Sequence, residues 1–435
     1  QISETPYWRQ VRTDRRNKAY QENHLDRVEY ARDHFTAASG GTFYGGDAFP
    51  EEYYGNIFTG DVSGNLVHRD ILVATDSTPY YIAQRAEQEK SKEFLVTTDT
   101  WFRPANFSVG PDGNLYVIDM YRQHIETPVS IPDDLETDMD FNAGNTMGRI
   151  YRIVPQSSNG TKWVKPDLKN ATGEQLVAAL SHKNQWWRIT AQRLLLERQD
   201  KTVIPQVKKL FAESSDPRTR LHALYVLEGM DALDAGIVKE ALKDPAAGIR
   251  ENAAILAEKF PACLASLEQL TEDSAIRVAY QATLSLGEYK DKAIIPWLAK
   301  TILRHGQSKW FRAAVLSSEA GSSVELLDAL TKNGFADKAE DWKTDFYEEL
   351  AETIGARNQK TQVMNLLQRA AQAAVTKMPG AQAAIVKGLV AGLQHIEGVN
   401  DEIKGKLKAI TGAAGSDAAK ALEDIKTLYS GLTGK

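Results

Sequence analysis

The distribution of apolar and polar residues changes once along the chain. Up to about residue 155, short apolar runs alternate with turns rich in Gly, Asp and Pro, a pattern typical of small antiparallel strands. Beyond residue 165, apolar residues recur at i, i+3, i+4 and i+7, which is the helical period. The polar stretch 154–160 separates the two patterns. The sequence therefore predicts a mixed fold, β first and then α.

The first part predicts short strands joined by tight turns. Eleven of the 16 tyrosines lie in it, and Asp112-Gly113 supplies a hairpin turn. The spacing resembles that of propeller blades, so we expect about two blades of a β-propeller over residues 35–155, after an N-terminal linker segment, 1–34. The predicted strands are 41–45, 56–61, 66–69, 107–110, 115–119 and 148–153.

The second part contains a repeat of about 30 residues. Its arginines are separated by 32, 30, 27 and 35 positions, and Asp-Pro pairs that cap and open a helix precede two of them. Two helical stretches per repeat predict a HEAT/ARM-like α-solenoid over residues 160–330. Residues 331–435 keep the helical period without this motif, and we expect them to continue and cap the solenoid. The repeat arginines are Arg188, Arg220, Arg250, Arg277 and Arg312.

Composition narrows the classes of function. The chain of 435 residues has a formal net charge of −6, so no basic field indicates nucleic-acid binding. We also expect no membrane span, because no run of 18 apolar residues occurs. The single cysteine, Cys263, excludes an internal disulfide and covalent c-type haem on this chain. Gln1 is not followed by a signal-peptide pattern, so such a peptide is either absent or removed.

Residues 35–154 resemble a known family, the PVC-type (planctomycete-type) membrane-bound dehydrogenases, whose propeller is similar to that of the glucose/sorbosone dehydrogenases. The order of these segments, followed by HEAT repeats, is what the family looks like. The segments that carry the resemblance are FYGGDAFPEEYYGN (43–56), GNLVHR (64–69), WFRP (101–104), GPDGNLYVIDMY (110–121) and GRIYRI (148–153).

The resemblance and the predicted solenoid together leave open two functions from different classes. One is the C-terminal part of a periplasmic, quinoprotein-like sugar or alcohol dehydrogenase that passes electrons to a cytochrome c. The other is a non-catalytic propeller/HEAT scaffold for protein–protein interaction, since a fold does not establish an activity. Family propellers have about six blades, so we expect the missing blades from the same or another chain. The implied location is the periplasm or cell envelope of a bacterium, or outside the cell.

By resemblance, the cofactor would be PQQ together with calcium, and the PQQ carboxylates would bind arginine. Arg103 lies eight residues before Pro111, near the position of the cofactor-facing arginines of the related propellers, and Arg69 and Arg122 are further candidates. Alternatively, Arg103 pairs with an acid at the propeller mouth. His68 is a candidate general base, or else a histidine that is hydrogen-bonded within or between blades.

Carboxylates in the same part are candidates for calcium. Asp47, Asp61 and Asp119 carry the hard oxygen ligands that calcium prefers, but their spacing matches no EF-hand loop. The alternative is that they form or cap turns. The solenoid would dock a cytochrome c or another protein partner.

Overall fold

A computed structural model describes most of the chain. The described residues are 7–31, 35, 37–156, 165–372, 375, 377–396, 399 and 401–433. Part of the predicted linker and most of the polar stretch 154–160 therefore lie outside them. Of the helices in these ranges, none is long and apolar enough to cross a membrane.

Two antiparallel sheets form the first part. The first has the order β1-β2-β3-β4, with β5 paired to the beginning of β3, and the second has the order β6-β7-β8. Each strand that the sequence predicts overlaps a strand of the structure, whereas β4 and β5 were not predicted. The strands are β1 (Ala38–Phe43), β2 (Ile57–Asp61), β3 (Leu66–Ala74), β4 (Tyr81–Arg85), β5 (Leu95–Val96), β6 (Pro104–Val109), β7 (Leu115–Asp119) and β8 (Arg149–Ile153).

The predicted Asp-Gly turn joins β6 to β7. Gly113 has φ of +77°, a conformation that costs little without a Cβ atom. Its N–H donates to the carbonyl of Gly110 at 3.0 Å, and the Asp112 carboxylate accepts from the N–H of Asn114 at 3.3 Å. The turn is therefore held by both backbone and side-chain hydrogen bonds.

Both sheets contribute to one apolar core. Phe58 and Val67 come from the first sheet, and Phe107 and Val117 from the second. Tyr44 lies among them, fully buried. Its hydroxyl donates to the carbonyl of Gly113 at 2.7 Å and accepts from the N–H of Phe49 at 2.9 Å, and burial raises its pKa to about 12. One phenol thus links the β6–β7 turn to the loop that follows β1.

A helix in the predicted linker segment packs against the β region. This helix, α1 (Tyr7–Glu22), buries Trp8, Arg9 and Thr13. The Arg9 guanidinium donates to the Ser63 hydroxyl at 2.8 Å and pairs with the carboxylate of Glu126. These two contacts attach α1 to loops that are distant in sequence.

Helices occupy the described residues beyond 170. Besides α1, one four-residue helix, α2 (Asp133–Glu136), precedes β8, and the remaining helices follow that strand. The described part of residues 331–435, where the sequence keeps the helical period, contains the last five of these helices. The helices are α3 (Gly173–Ala179), α4 (Gln185–Arg198), α5 (Ile204–Glu213), α6 (Pro217–Gly229), α7 (Ala235–Ala241), α8 (Ala247–Ala257), α9 (Leu264–Leu270), α10 (Ile276–Leu286), α11 (Ile295–His305), α12 (Lys309–Leu316), α13 (Val324–Lys332), α14 (Asp341–Arg357), α15 (Lys360–Ala370), α16 (Ala381–Leu393), α17 (Asp401–Ala414) and α18 (Ala418–Thr433).

Four of the five arginines of the sequence repeat share one hydrogen bond, whereas Arg277 pairs with Glu251. In Arg188, Arg220, Arg250 and Arg312, Nη1 donates to the backbone carbonyl six residues earlier, at 2.6, 2.8, 2.7 and 3.0 Å respectively. Each bond ties the first turns of a helix to the loop before it. Because the donor lies on the helix and the acceptor on its own entry loop, the bond is local and recurs with the sequence motif.

The chain divides into two compact units. The first comprises Gln1–Ala74 and Tyr81–Ala232, and the second comprises Thr75–Tyr80 and Leu233–Lys435. Helices α3–α6 thus belong with the sheets, although the hydrophobic period changes before them. In the second unit, Cys263 is fully buried, and its thiol lies 3.8 Å from the carbonyl oxygen of Ala235. Burial raises the pKa of this thiol.

Helix α4 of the first unit begins on the β6–β7 turn. The Asn184 side-chain amide donates to the carbonyl of Gly110 at 3.0 Å, and the Trp187 indole donates to that of Pro111 at 2.9 Å. The guanidinium of Arg188 also donates to the hydroxyl of Tyr54 at 3.1 Å. The first helical repeat is therefore attached to segments that carry the family resemblance.

Candidate functional site

Arg103 lies at the beginning of β6 and is buried. Its Nε, Nη1 and Nη2 donate to the carbonyls of Arg122, Val62 and Gln123 at 2.8, 2.8 and 2.6 Å. Burial lowers the pKa of Arg103 to about 10, although the carboxylate of Glu126 partly opposes that shift. All three guanidinium nitrogens are committed to backbone oxygens. Arg103 therefore does not present the free double-donor edge that a cofactor carboxylate needs.

Two of the candidate calcium ligands stabilise turns. Asp119 Oδ1 accepts from the N–H groups of Arg103 and Tyr121, both at 2.8 Å, and Asp61 Oδ1 accepts from those of Ser63 and Gly64 at 2.9 and 3.1 Å. The other oxygen of Asp119, Oδ2, is buried without a hydrogen-bond partner, within electrostatic reach of Arg103. The turn-forming alternative therefore describes both residues in this structure.

The remaining candidates, Arg122 and Asp47, lie in different places. Arg122 donates to the carbonyls of Gly144 and Tyr121, inside the loop before β8. Asp47 is exposed and lines a cavity of about 480 Å³ together with Arg218. Within the described ranges, no group of three or more His, Cys, Asp or Glu residues could hold a metal ion.

His68 lies on β3 between two carboxylates. Its Nδ1 is 2.7 Å from Glu93 Oε2, and its Nε2 is 3.0 Å from Asp70 Oδ1. Burial alone would raise the pKa of Glu93, but hydrogen bonds from Arg85 and His68 outweigh it and lower that pKa. A general base needs one ring nitrogen facing its substrate, and both nitrogens of His68 face acids.

Arg69, the next residue of β3, is paired in a different way. Its Nε and Nη2 donate to the two carboxylate oxygens of Glu89 at 3.0 and 2.9 Å. The guanidinium carbon lies 4.3 Å from the centre of the Tyr53 ring, a cation–π contact. Both residues are buried, so this bidentate ion pair is shielded from water.

Taken together, the sequence candidates do not form one site. Arg103 and Asp119 are in direct contact, and Arg122 joins them through its own carbonyl. His68 and Arg69 are neighbours on β3, and each is paired with acids of its own. Asp47 lies apart from both, in the lining of the cavity that also includes Arg218. The geometry gives these residues structural roles, and their arrangement does not fit the carboxylates of PQQ.

Sequence reasoning missed a second group of charged residues, on α1. A cavity of about 450 Å³ lies between α1 and residues 27–30, 35, 37 and 125–126 of the same unit. We call it the arginine cleft. The spacing of three and four residues between Arg9, Arg12 and Arg16 places them on one helical face, and this signal was present in the sequence. The charged residues that line the cleft are Arg9, Arg12, Arg16, Arg27, Glu29 and Glu126.

Comparison with known protein families gives a match over the first part of the chain. Residues 3–157 match a family described as a domain of unknown function (DUF7133). The matched segment extends from before α1 to just after β8, so it includes α1 together with both sheets. No curated protein matches the sequence of this chain.

Proposed function

We propose that this chain is a protein-binding module, in which sheets of the propeller type precede a solenoid of HEAT-like helix pairs. The observation that carries the proposal is the hydrogen bond shared by four of the five repeat arginines, which gives their four helices the same kind of entry. Stacked equivalent repeats form extended surfaces, and proteins with such repeats commonly bind other proteins.

Ion pairs between successive repeats support the stacking. Arg250 donates through Nε and Nη2 to the carboxylate of Asp273 at 2.7 and 2.9 Å. Arg312 makes the same kind of bidentate pair with Glu349 at 2.8 and 2.9 Å. Each pair joins a repeat to the next one while the same guanidinium also holds its own entry loop.

The sheets offer a second surface for a partner of the same kind. Their outermost strands, β4 and β8, expose apolar side chains: Tyr81 is 47% and Ile82 36% exposed, and Ile150 is 67% and Tyr151 41% exposed. Exposed apolar side chains on an edge strand favour pairing with another strand. We propose that these edges bind further blades, from the same or another chain.

The dehydrogenase function stays a prediction of the family resemblance. It implies PQQ, calcium, a cytochrome partner and a periplasmic location, and none of these gains support from the geometry of Arg103, Arg69 or His68. The proposed binding function needs none of those residues to be free.

One experiment separates the two functions. A photo-crosslinking amino acid is placed in the full chain at the exposed solenoid position Leu303, with exposed Ile189 of the first unit as the matched position. We expect a reproducible protein adduct at Leu303 that a neighbouring charge reversal, Lys300→Glu, weakens. The same preparation is titrated with PQQ, with and without calcium, and assayed for dye reduction with sugars and alcohols. PQQ-dependent oxidation without a crosslinked partner would favour the dehydrogenase instead.

A further inference from the structure

The arginine cleft contains more positive than negative charge. Among its described lining residues, four guanidinium groups face two carboxylates, an excess of two positive charges. Residues 32–34 and 36, which adjoin the lining residues Tyr30, Phe35 and Ala37, lie outside the described part of the chain. The excess is therefore a property of the described lining.

The two carboxylates are already engaged by three of the arginines. Glu29 pairs with Arg16 at 3.3 Å and with Arg27 at 3.2 Å, and it also accepts from the hydroxyl of Tyr20 at 2.6 Å. Glu126 pairs with Arg9. The fourth arginine, Arg12, has no hydrogen bond or ion pair with any described residue.

Arg12 is held in place without a counterion among the described residues. Its guanidinium carbon lies 5.3 Å from the centre of the Trp8 ring, and its Nε is buried with no hydrogen-bond partner. Burial and the positive charge of Arg16 lower the pKa of Arg12, and the more distant carboxylates of Glu126 and Glu29 only partly oppose this. Arginine stays charged at physiological pH, so this cation is left for a ligand to neutralise.

The remaining wall of the cleft is partly apolar. Val28, Phe35 and Ile125 line it together with the charged groups. A cavity of about 450 Å³ has the size of a small-molecule site, and a mixed lining of this kind is typical of such sites. An inorganic ion alone would leave the apolar wall without a contact.

We propose that the arginine cleft binds a small organic dianion, a phosphate monoester or a dicarboxylate, with one oxyanion group on the guanidinium of Arg12. Two negative charges match the excess of the lining, and a planar guanidinium can donate two parallel hydrogen bonds to either group. The site lies in the first unit and is independent of the protein-binding surfaces proposed above.

The test is calorimetric titration of the full chain with four probes. Phenyl phosphate and benzene-1,2-dicarboxylate represent the two dianions, inorganic phosphate lacks the apolar body, and benzamide lacks the charge. We expect at least one organic dianion to bind, more weakly as NaCl is raised, and benzamide not to bind. The organic dianion that binds identifies the oxyanion. Equal affinity for inorganic phosphate would overturn the organic part of the proposal, and no binding by either organic dianion would overturn all of it.

Two variants assign the binding to Arg12. Arg12→Gln should weaken binding at least tenfold, whereas Arg15→Gln should change it less than twofold, because Arg15 pairs with Asp134 outside the cleft. Equal losses in the two variants would mean nonspecific attraction and contradict the proposal.

A stability measurement separates a ligand-binding role from a structural one. Because Arg12 forms no hydrogen bond or ion pair with any described residue, Arg12→Gln should keep or raise the melting temperature, and Arg12→Lys should retain part of the affinity. A lower melting temperature for Arg12→Gln would give this residue a structural role and overturn the proposal.

Discussion

The β region and the helical repeats both bury arginines, but they bond them in different ways. In four of the five repeats, the guanidinium reaches a carbonyl six residues earlier, so the same short stretch of sequence supplies donor and acceptor. In the β region, Arg103 reaches carbonyls 19, 20 and 41 residues away, and Arg9 reaches an acid 117 residues away. The hydrogen bond of the repeat arginines thus recurs along the chain, whereas the contacts of Arg103 and of Arg9 each belong to a single place in the fold.

The difference shows how a buried cation can be structural in two senses. Arg250 and Arg312 each hold their own helix entry and pair with an acid of the next repeat, so their loss acts on neighbours. Arg103 ties three segments that would otherwise separate, so its loss acts on the whole β region. The resemblance assigned Arg103 to a cofactor because it is an arginine before a Pro-Asp-Gly turn, and position in sequence does not reveal that all its donors are engaged.

Replacing Arg103 should give the largest effect. Arg103→Met leaves three buried carbonyls without donors, each costing about 1–3 kcal/mol, so we expect the first unit to lose about 4 kcal/mol of stability. Urea denaturation followed by hydrogen exchange in β6 and β7 measures this loss. Arg193→Met is the control, because the Arg193 side chain is 65% exposed, and it should stay within about 0.5 kcal/mol. Equal effects would contradict the role of Arg103.

A pH titration tests the helical repeats through one buried histidine, His222 on α6. Burial and the positive charge of Arg188 lower the pKa of His222 from 6.5 to about 4. Between these two pH values the unfolded chain binds more protons than the folded one, so stability falls as the pH is lowered through this window. The expected loss is about 2–3 kcal/mol.

Urea denaturation of the wild type and of His222→Gln, at several pH values between 7 and 4, measures the contribution of His222. The variant should lose most of this slope. If its slope equals that of the wild type, the pH dependence arises from other groups.

Arg250→Met tests how far a repeat arginine acts. It removes the bond to the Asp244 carbonyl and the ion pair with Asp273, and should cost about 2 kcal/mol. Since stacked repeats couple mainly to their neighbours, faster hydrogen exchange should be confined to α7–α10. Arg304→Met, at an exposed position, is the control. Faster exchange throughout the second unit would remove the contrast with Arg103.

Tyr44→Phe should have the smallest effect. It leaves the Gly113 carbonyl and the Phe49 N–H without their shared hydroxyl, at a cost of about 1 kcal/mol, while the ring still fills the core. Tyr151→Phe removes an exposed hydroxyl and should leave the unfolding free energy unchanged. A loss for Tyr44→Phe no larger than that for Tyr151→Phe would show that the hydroxyl does not stabilise the core.

The sequence predicted those elements whose signals are local. The β6–β7 hairpin and the repeat helices follow from turn residues, caps and periodicity. Strand β4 was missed because its side chains are mostly exposed, which removes the alternation that indicates a half-buried strand. Strand β5 has only two residues, too few to show any period.

The candidate site could be predicted only in part. The sequence left two roles open for Asp61 and Asp119, as calcium ligands or as turn residues. In the structure, both carboxylates accept hydrogen bonds from backbone N–H groups in turns. The partners of Arg103 are backbone carbonyls. Because every residue carries a carbonyl, no pattern of side chains in the sequence indicates which ones Arg103 will bind. For the arginine cleft, the face of α1 was visible in the sequence, but the walls around Phe35 and Ile125 are brought to it only by folding.

The fully buried Cys263 can report how often the second unit opens. A thiol reagent in solution can reach this sulfur only while the surrounding helices are apart. The chain has no other cysteine, so each molecule that has opened gains one label and one increment of mass. The rate of that gain in unmodified protein therefore counts opening events directly, and a bound partner that holds the helices together would slow it.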